Sequence, residues 1–190
     1  GFDLVEQFTR RYDKPAFGLT ETRIDGRRVA VNETILERKP FGQLKHFERE
    51  GEYDHPKVLV VAPLSGHFAT LLRGTVEELL PDHDVYITDW RDARHVPLSD
   101  GRFDLDDYID YLLEWLEALG PDTHVIAVCQ PAVPVYGALC LMEAQNHECR
   151  PASVTLMGGP IDTREAPTEV NKLATTRSHD WFEKHVIALV

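Results

Sequence analysis

Residues 124–135 read HVIAVCQPAVPV. The run 124–128 is a short apolar strand that stops at Cys129, and Gln130-Pro131 leads straight into a helical stretch over 132–145. A strand without polar alternation is buried on both faces, which is the habit of a parallel sheet. Pro134 predicts an early interruption of the helix that follows, because proline removes a backbone donor and clashes with the preceding turn.

Working outward, the same pattern recurs on both sides. Residues 57–63, KVLVVAP, hold five consecutive apolar residues from Val58 to Ala62, and 85–90, VYITDW, form another strand. Between them Phe68, Leu71, Leu72, Val76, Leu79 and Leu80 fall near helical spacing, and Pro81-Asp82 ends that helix. Leu105, Tyr108, Ile109, Leu112, Leu113, Leu116 and Leu119 make one apolar face of a helix that Asp104 caps and Gly120-Pro121 closes. Downstream, 153–157 (SVTLM) is a strand ending at Gly158-Gly159-Pro160. Strand–helix repeats on one buried sheet define an α/β fold with right-handed crossovers. Ahead of them, residues 28–40 and 43–49 alternate around a Pro-Phe-Gly break and predict an antiparallel strand pair.

Composition sets the boundaries. The chain has 190 residues, 43% apolar and 27% charged, and a formal net charge of −12. That is an ordinary globular mixture, and its acidity disfavours nucleic acid as a partner, since phosphate recognition needs an excess of Lys and Arg. No apolar run approaches the roughly 18 residues that cross a bilayer, and residues 1–18 lack the basic-then-apolar order of a signal peptide. A start at Gly1 without Met leads to the expectation that upstream sequence was removed. Cys129, Cys140 and Cys149 form neither a disulfide framework nor a zinc site, and the nine histidines include no H-x-x-x-H pair. No metal or other cofactor is expected. Asp104, Asp106, Asp107 and Asp110 crowd the first turns of a helix, where they complement its positive end; no D-x-D-x-D-G loop makes them a cation site.

In open α/β sheets the working residues lie at the carboxyl ends of the strands. There, strand–Cys129–helix has the order of a nucleophile elbow: a sharp turn lifts the side chain above the sheet, and a helix N-terminus favours negative charge on the sulfur. The usual G-x-S-x-G is replaced by Ala127-Val128-Cys129-Gln130-Pro131, and a buried inert cysteine at a strand end is the competing reading. Acyl transfer also needs two donors aimed at the developing oxyanion. Gln130 N–H can supply one, and Ser65 or Leu64 N–H in the loop after residue 63 the other; that loop reads equally as a plain strand-to-helix turn.

Three co-ordered stretches, 62–90 (APLSGHFATLLRGTVEELLPDHDVYITDW), 128–135 (VCQPAVPV) and 157–175 (MGGPIDTREAPTEVNKLAT), closely resemble the intracellular polyhydroxyalkanoate depolymerases, and the likeness runs from KPAFG at 14–18 to HDWFEKHVI near the end. The resemblance implies an α/β-hydrolase core, with Cys129 as the nucleophile, Gln130 as the following oxyanion donor and Ser65 at the second donor position. It further implies ester hydrolysis of stored poly(3-hydroxybutyrate), with the polymer or granule surface as partner and a cytoplasmic, granule-associated location.

The triad acid and histidine do not carry over. In this fold they follow the nucleophile on later strand ends, and no such strands lie beyond Met157. His179 and His185 fall in TTRSHDWFEKHVIALV, read as a helix of a lid, where surface or packing roles suit them. The apolar ending VIALV and the family's longer members lead to the expectation of a fragment, inactive alone: 1–160 the first part of the core with the elbow, 161–190 the start of a lid, and the rest of the catalytic domain absent. Polymer synthases of the same storage system, with a glycine-flanked cysteine, a granule-surface protein without chemistry and a small-ester hydrolase are the alternatives. Phe68, Trp90 and Trp181 are the aromatic residues offered to a polymer surface, although core packing suits the first two.

Overall fold

The computed structural model describes residues 14–64 and 68–189; the readings that fall on 1–13 and on Ser65 lie outside them. The chain divides into two compact units, with the break between Gly159 and Pro160.

In the first unit one sheet has the order β1-β2-β3-β5-β4-β6-β7. The strands are β1 (Glu21–Ile24), β2 (Arg27–Arg38), β3 (Gly42–Arg49), β4 (Lys57–Val61), β5 (Asp84–Trp90), β6 (His124–Val128) and β7 (Ser153–Met157). β1 to β3 run antiparallel to one another and β3 joins β5 antiparallel, while β5, β4, β6 and β7 are mutually parallel. The expected mostly parallel sheet flanked by helices is therefore present, with the antiparallel pair at its leading edge.

The apolar run in β4 has a direct cause. Leu59 and Val61 face a core built with α2 (Leu105–Leu119) and α3 (Ala132–Ala144), while Val58, Val60 and Ala62 face α1 (Arg73–Leu79) on the other side. With helices on both faces, Val58 to Ala62 are shut off from water and Lys57 at the start of the strand is partly exposed, so no polar alternation survives.

Several local readings need correction. The antiparallel part has a third strand, β1, joined to β2 by a two-residue turn at Asp25 (φ +50°) and Gly26 (φ +77°). Asp-Gly is the preferred pair for such a hairpin, because both central residues need positive φ. The helix expected from residue 68 is split: a 3₁₀ turn over Ala69–Leu72 precedes α1. With three residues per turn, Ala69 and Leu72 eclipse and are both buried, which turns Leu71 outward to 55% exposure. Pro134 does not interrupt α3. It is the third residue of the helix, where no N–H partner is needed, and the Val135 N–H reaches the Pro131 carbonyl at 3.0 Å.

α2 follows the expected apolar stripe, with two changes: Trp115, not anticipated, is fully buried, and Leu105 is out in solvent. Its acidic start is a reciprocal cap. Asp106 and Asp107 N–H donate to Asp104, whose own N–H donates to the Asp107 carboxylate at 2.8 Å. The Asp107 N–H in particular holds the Asp104 carboxyl below its ordinary range.

An ion cluster binds the N-terminal segment to the sheet. Asp89 in β5 has no solvent exposure; Lys14 pairs with it, Lys45 lies 3.3 Å away, and Gln43 Nε2 donates to it at 2.8 Å. Beside it Phe17 packs edge-on to Phe47.

The second unit holds α4 (Glu169–Thr176) and α5 (His179–His185). The stretch read as one helix is broken at Arg177, and Ser178 caps α5 by accepting from Trp181 N–H at 3.3 Å. No helix among the described residues is long and apolar enough to cross a membrane.

Candidate active site

β6 ends at Val128, which pairs with Met157 of β7, and the next residue, Cys129, turns the chain with φ +67°. A residue with a Cβ rarely occupies this left-handed region, and the conformation costs about 1–2 kcal/mol. Its side chain is exposed, unlike an inert core cysteine. The turn is held on both sides. The Cys129 N–H donates to the Met157 carbonyl at 2.8 Å, the Cys129 carbonyl accepts from Ala132 N–H at 3.1 Å, and the Gln130 carbonyl accepts from Val133 N–H at 3.3 Å. The strained residue is thus wedged between a parallel strand and the first turn of α3, the arrangement that aims a nucleophile above a sheet.

Close approach here depends on small residues, though not at the positions of G-x-S-x-G. Ala127 and Ala132 are fully buried. A Cβ on Gly159 would sit 2.0 Å from Ala132 Cβ and 2.8 Å from the Cys129 carbonyl oxygen, so only glycine fits where the chain leaves β7. Pro131 fills the second usual small position, and the tight contact moves one residue on, to Ala132. Gly159, read from the sequence only as the end of a strand, is packed against the elbow.

The loop after β4 approaches from the other side of β6. Ala62 N–H donates to Thr88 Oγ at 2.9 Å, the Ala62 carbonyl accepts from Trp90 Nε1 at 2.9 Å, and Leu64 N–H donates to the Gln130 side-chain oxygen at 3.0 Å. Cys129, Gln130 and the start of the loop after β4 are thus brought together; Ser65 falls outside the described residues. Thr88 and Trp90 were not recognised as contributors, since nothing in VYITDW distinguishes a side chain that bonds to the neighbouring strand from one that only packs.

Trp90 is 5% exposed and packs among Phe103, Tyr108, Tyr111 and Trp115, which withdraws it from the aromatic residues offered to a polymer; Phe68 and Trp181 are half-buried. Its ring occupies the space above Gly42, where a Cβ would lie 2.9 Å from Trp90 Cε3. Burial pushes the neighbouring Tyr108 hydroxyl well above its ordinary range, so it stays neutral. In the segment from β5 to the start of α2, Leu98 and Leu105 are large apolar side chains that face solvent.

The described histidines of the first unit are engaged by groups other than Cys129. His46 meets Asp84, His55 meets Arg49, His83 meets the Leu79 carbonyl, His124 meets Ser153 and His147 meets Glu117. His95 lies 3.9 Å from Asp92 in the loop after β5. That loop is two strands from the elbow, about 10 Å at ordinary strand spacing. Hydrogen bonds from Arg94 hold the Asp92 carboxyl below its usual range and orient it toward the guanidinium. In α5, His179, Asp180 and Glu183 come within 4.8 Å of one another, all exposed, on a single helical face.

Comparison with known proteins gives two kinds of likeness. Residues 158–190 match a family model described as PHB de-polymerase C-terminus. No curated protein matches the chain in sequence. Among solved structures, naproxen esterase (carboxylesterase NP) from Bacillus subtilis is 18% identical with a TM-score of 0.52, over 82% of this chain and 53% of its own. A candidate lipase from Acinetobacter baumannii is 17% identical with a TM-score of 0.57, over 82% and 48%. A candidate esterase from Staphylococcus aureus is 10% identical with a TM-score of 0.53, over 94% and 57%. The chain spans about half the length of these structures. Sheet order, crossover pattern and these likenesses agree that its first unit has the α/β-hydrolase fold.

Proposed function

We propose that this chain carries the nucleophile and oxyanion side of a cysteine-dependent ester hydrolase acting on stored polyhydroxyalkanoate. The observation that carries the reading is Cys129: exposed, at φ +67°, between a parallel strand and a helix start. Such strain is retained where surrounding structure imposes it, and a nucleophile elbow is a common reason. The match of 158–190 to the PHB de-polymerase C-terminus model, together with the co-ordered motifs, supports the polymer as substrate and a cytoplasmic granule surface as the place of action.

In this reading Cys129 Sγ attacks the ester carbonyl, and the negative charge that develops on oxygen is met by the backbone N–H of Gln130 and of Ser65. A histidine, itself oriented by a carboxylate, removes the thiol proton and delivers it to the departing hydroxyl; water then cleaves the thioester. The proposal assigns that histidine and carboxylate to residues outside those described. Leu98 and Leu105, exposed in the segment after β5, offer apolar contact to a polymer surface despite the net charge of −12.

The test is release of 3-hydroxybutyrate from amorphous granules by the full-length protein. Cys129→Ala is expected to lower the rate at least about a thousandfold. Turnover that survives the substitution would overturn the assignment.

A further inference from the structure

The Gln130 side chain makes a contact that the chemistry above does not use. Its Oε1 accepts the Leu64 N–H at 3.0 Å, joining the elbow to the loop after β4 across 66 residues of sequence. The orientation of the amide follows from chemistry, since a backbone N–H can only meet the oxygen. On the far side of the same strand end, Thr88 Oγ takes the Ala62 N–H and Trp90 Nε1 donates to the Ala62 carbonyl, each at 2.9 Å. Thr88 and Trp90 are buried. Pro63 has no N–H. Every backbone donor from Ala62 to Leu64 is therefore held by a side chain from a neighbouring strand end.

We propose that Gln130 is a positioning residue: its side-chain oxygen fixes the loop after β4 against the elbow, so that the gap in which an ester oxygen would sit keeps a constant width. The inference rests on the function proposed above. One residue then governs both walls of the gap, its own N–H forming one and its side chain setting the other. A gap set from both sides acts mainly on the transition state, where donor distances matter most, and less on substrate binding.

The experiment pairs amide hydrogen exchange at Leu64 with steady-state hydrolysis of p-nitrophenyl butyrate, both in the full-length protein. Gln130→Met keeps length and the backbone N–H but removes the acceptor; Gln130→Glu retains an oxygen at the same reach. Gln130→Met is expected to speed Leu64 exchange at least about tenfold and to lower kcat about tenfold with KM within about twofold. Gln130→Glu is expected to keep the Leu64 protection and more of the kcat than Gln130→Met. The proposal is overturned if Gln130→Met frees the Leu64 amide without changing kcat, or lowers kcat only in proportion to lost folded protein. Cys129→Ala, run alongside, separates the two claims: if ester hydrolysis survives it, the nucleophile assignment fails, whatever Leu64 exchange shows.

Discussion

At Cys129 a side chain is held where glycine would rest more easily. Its φ of +67° sets stability against chemistry at one residue. Cys129→Gly removes the steric cost, whereas Cys129→Ala keeps it. The glycine variant is expected to be about 1 kcal/mol more stable than the alanine variant by urea denaturation, even though glycine gains more entropy on unfolding. Equal midpoints would mean that the turn is not strained. The position of this cysteine was legible because a strand-to-helix transition within two residues is a local pattern. The side-chain role of Gln130 was not, because its partner is 66 residues away and only the sheet order β4-β6 brings them together. Gly159 was hidden for the same reason: its crowding against Ala132 is tertiary.

Elements that obey a single rule were read correctly, and those where two rules compete were not. β4, buried from Val58 to Val61, reads as an unbroken apolar run. α1 fails because tertiary packing favours a 3₁₀ turn at 69–72 over continuous helix. Pro134 misled because its effect depends on whether it stands in the first turn or later. The β3–β5 junction, where antiparallel meets parallel, carries a polar lock invisible in either strand alone. His46 Nε2 lies 2.7 Å from the Asp84 carboxylate, Tyr86 OH donates to that carboxylate at 2.9 Å, and the His46 and Tyr86 rings stack at 4.3 Å. Burial opposes the charge on Asp84, but these hydrogen bonds and the nearby His46 and Arg49 outweigh it and depress the carboxyl. A carboxyl depressed in the folded state stabilises fully above its unfolded value near 4, and that contribution is lost as pH falls through the folded value. Unfolding free energies measured from pH 7 down to pH 3 should therefore fall less steeply on the acid limb for Asp84→Asn than for the native chain. Parallel curves would remove Asp84 from the acid response.

Across the whole molecule, the two units differ in how they are held. The first has a core on each face of its sheet, while the second has no buried residue in either of its helices. The connection over 160–168 is exposed throughout. Trypsin is expected to cut first after Arg164, within that connection, and to leave a resistant product ending near it; early cuts inside β4 to β7 would contradict this division. The class of fold was readable because it follows from hydrophobic pattern and connection handedness, which every segment reports independently. The join between the antiparallel edge and the site was not. At Gly42 the first strands contribute no chemical group at all, only room: the missing Cβ admits the Trp90 ring, and the ring's Nε1 holds Ala62. A void in β3 thus serves as the footing of the loop after β4, and a methyl group added 20 residues before that loop would reach it through an indole rather than along the chain.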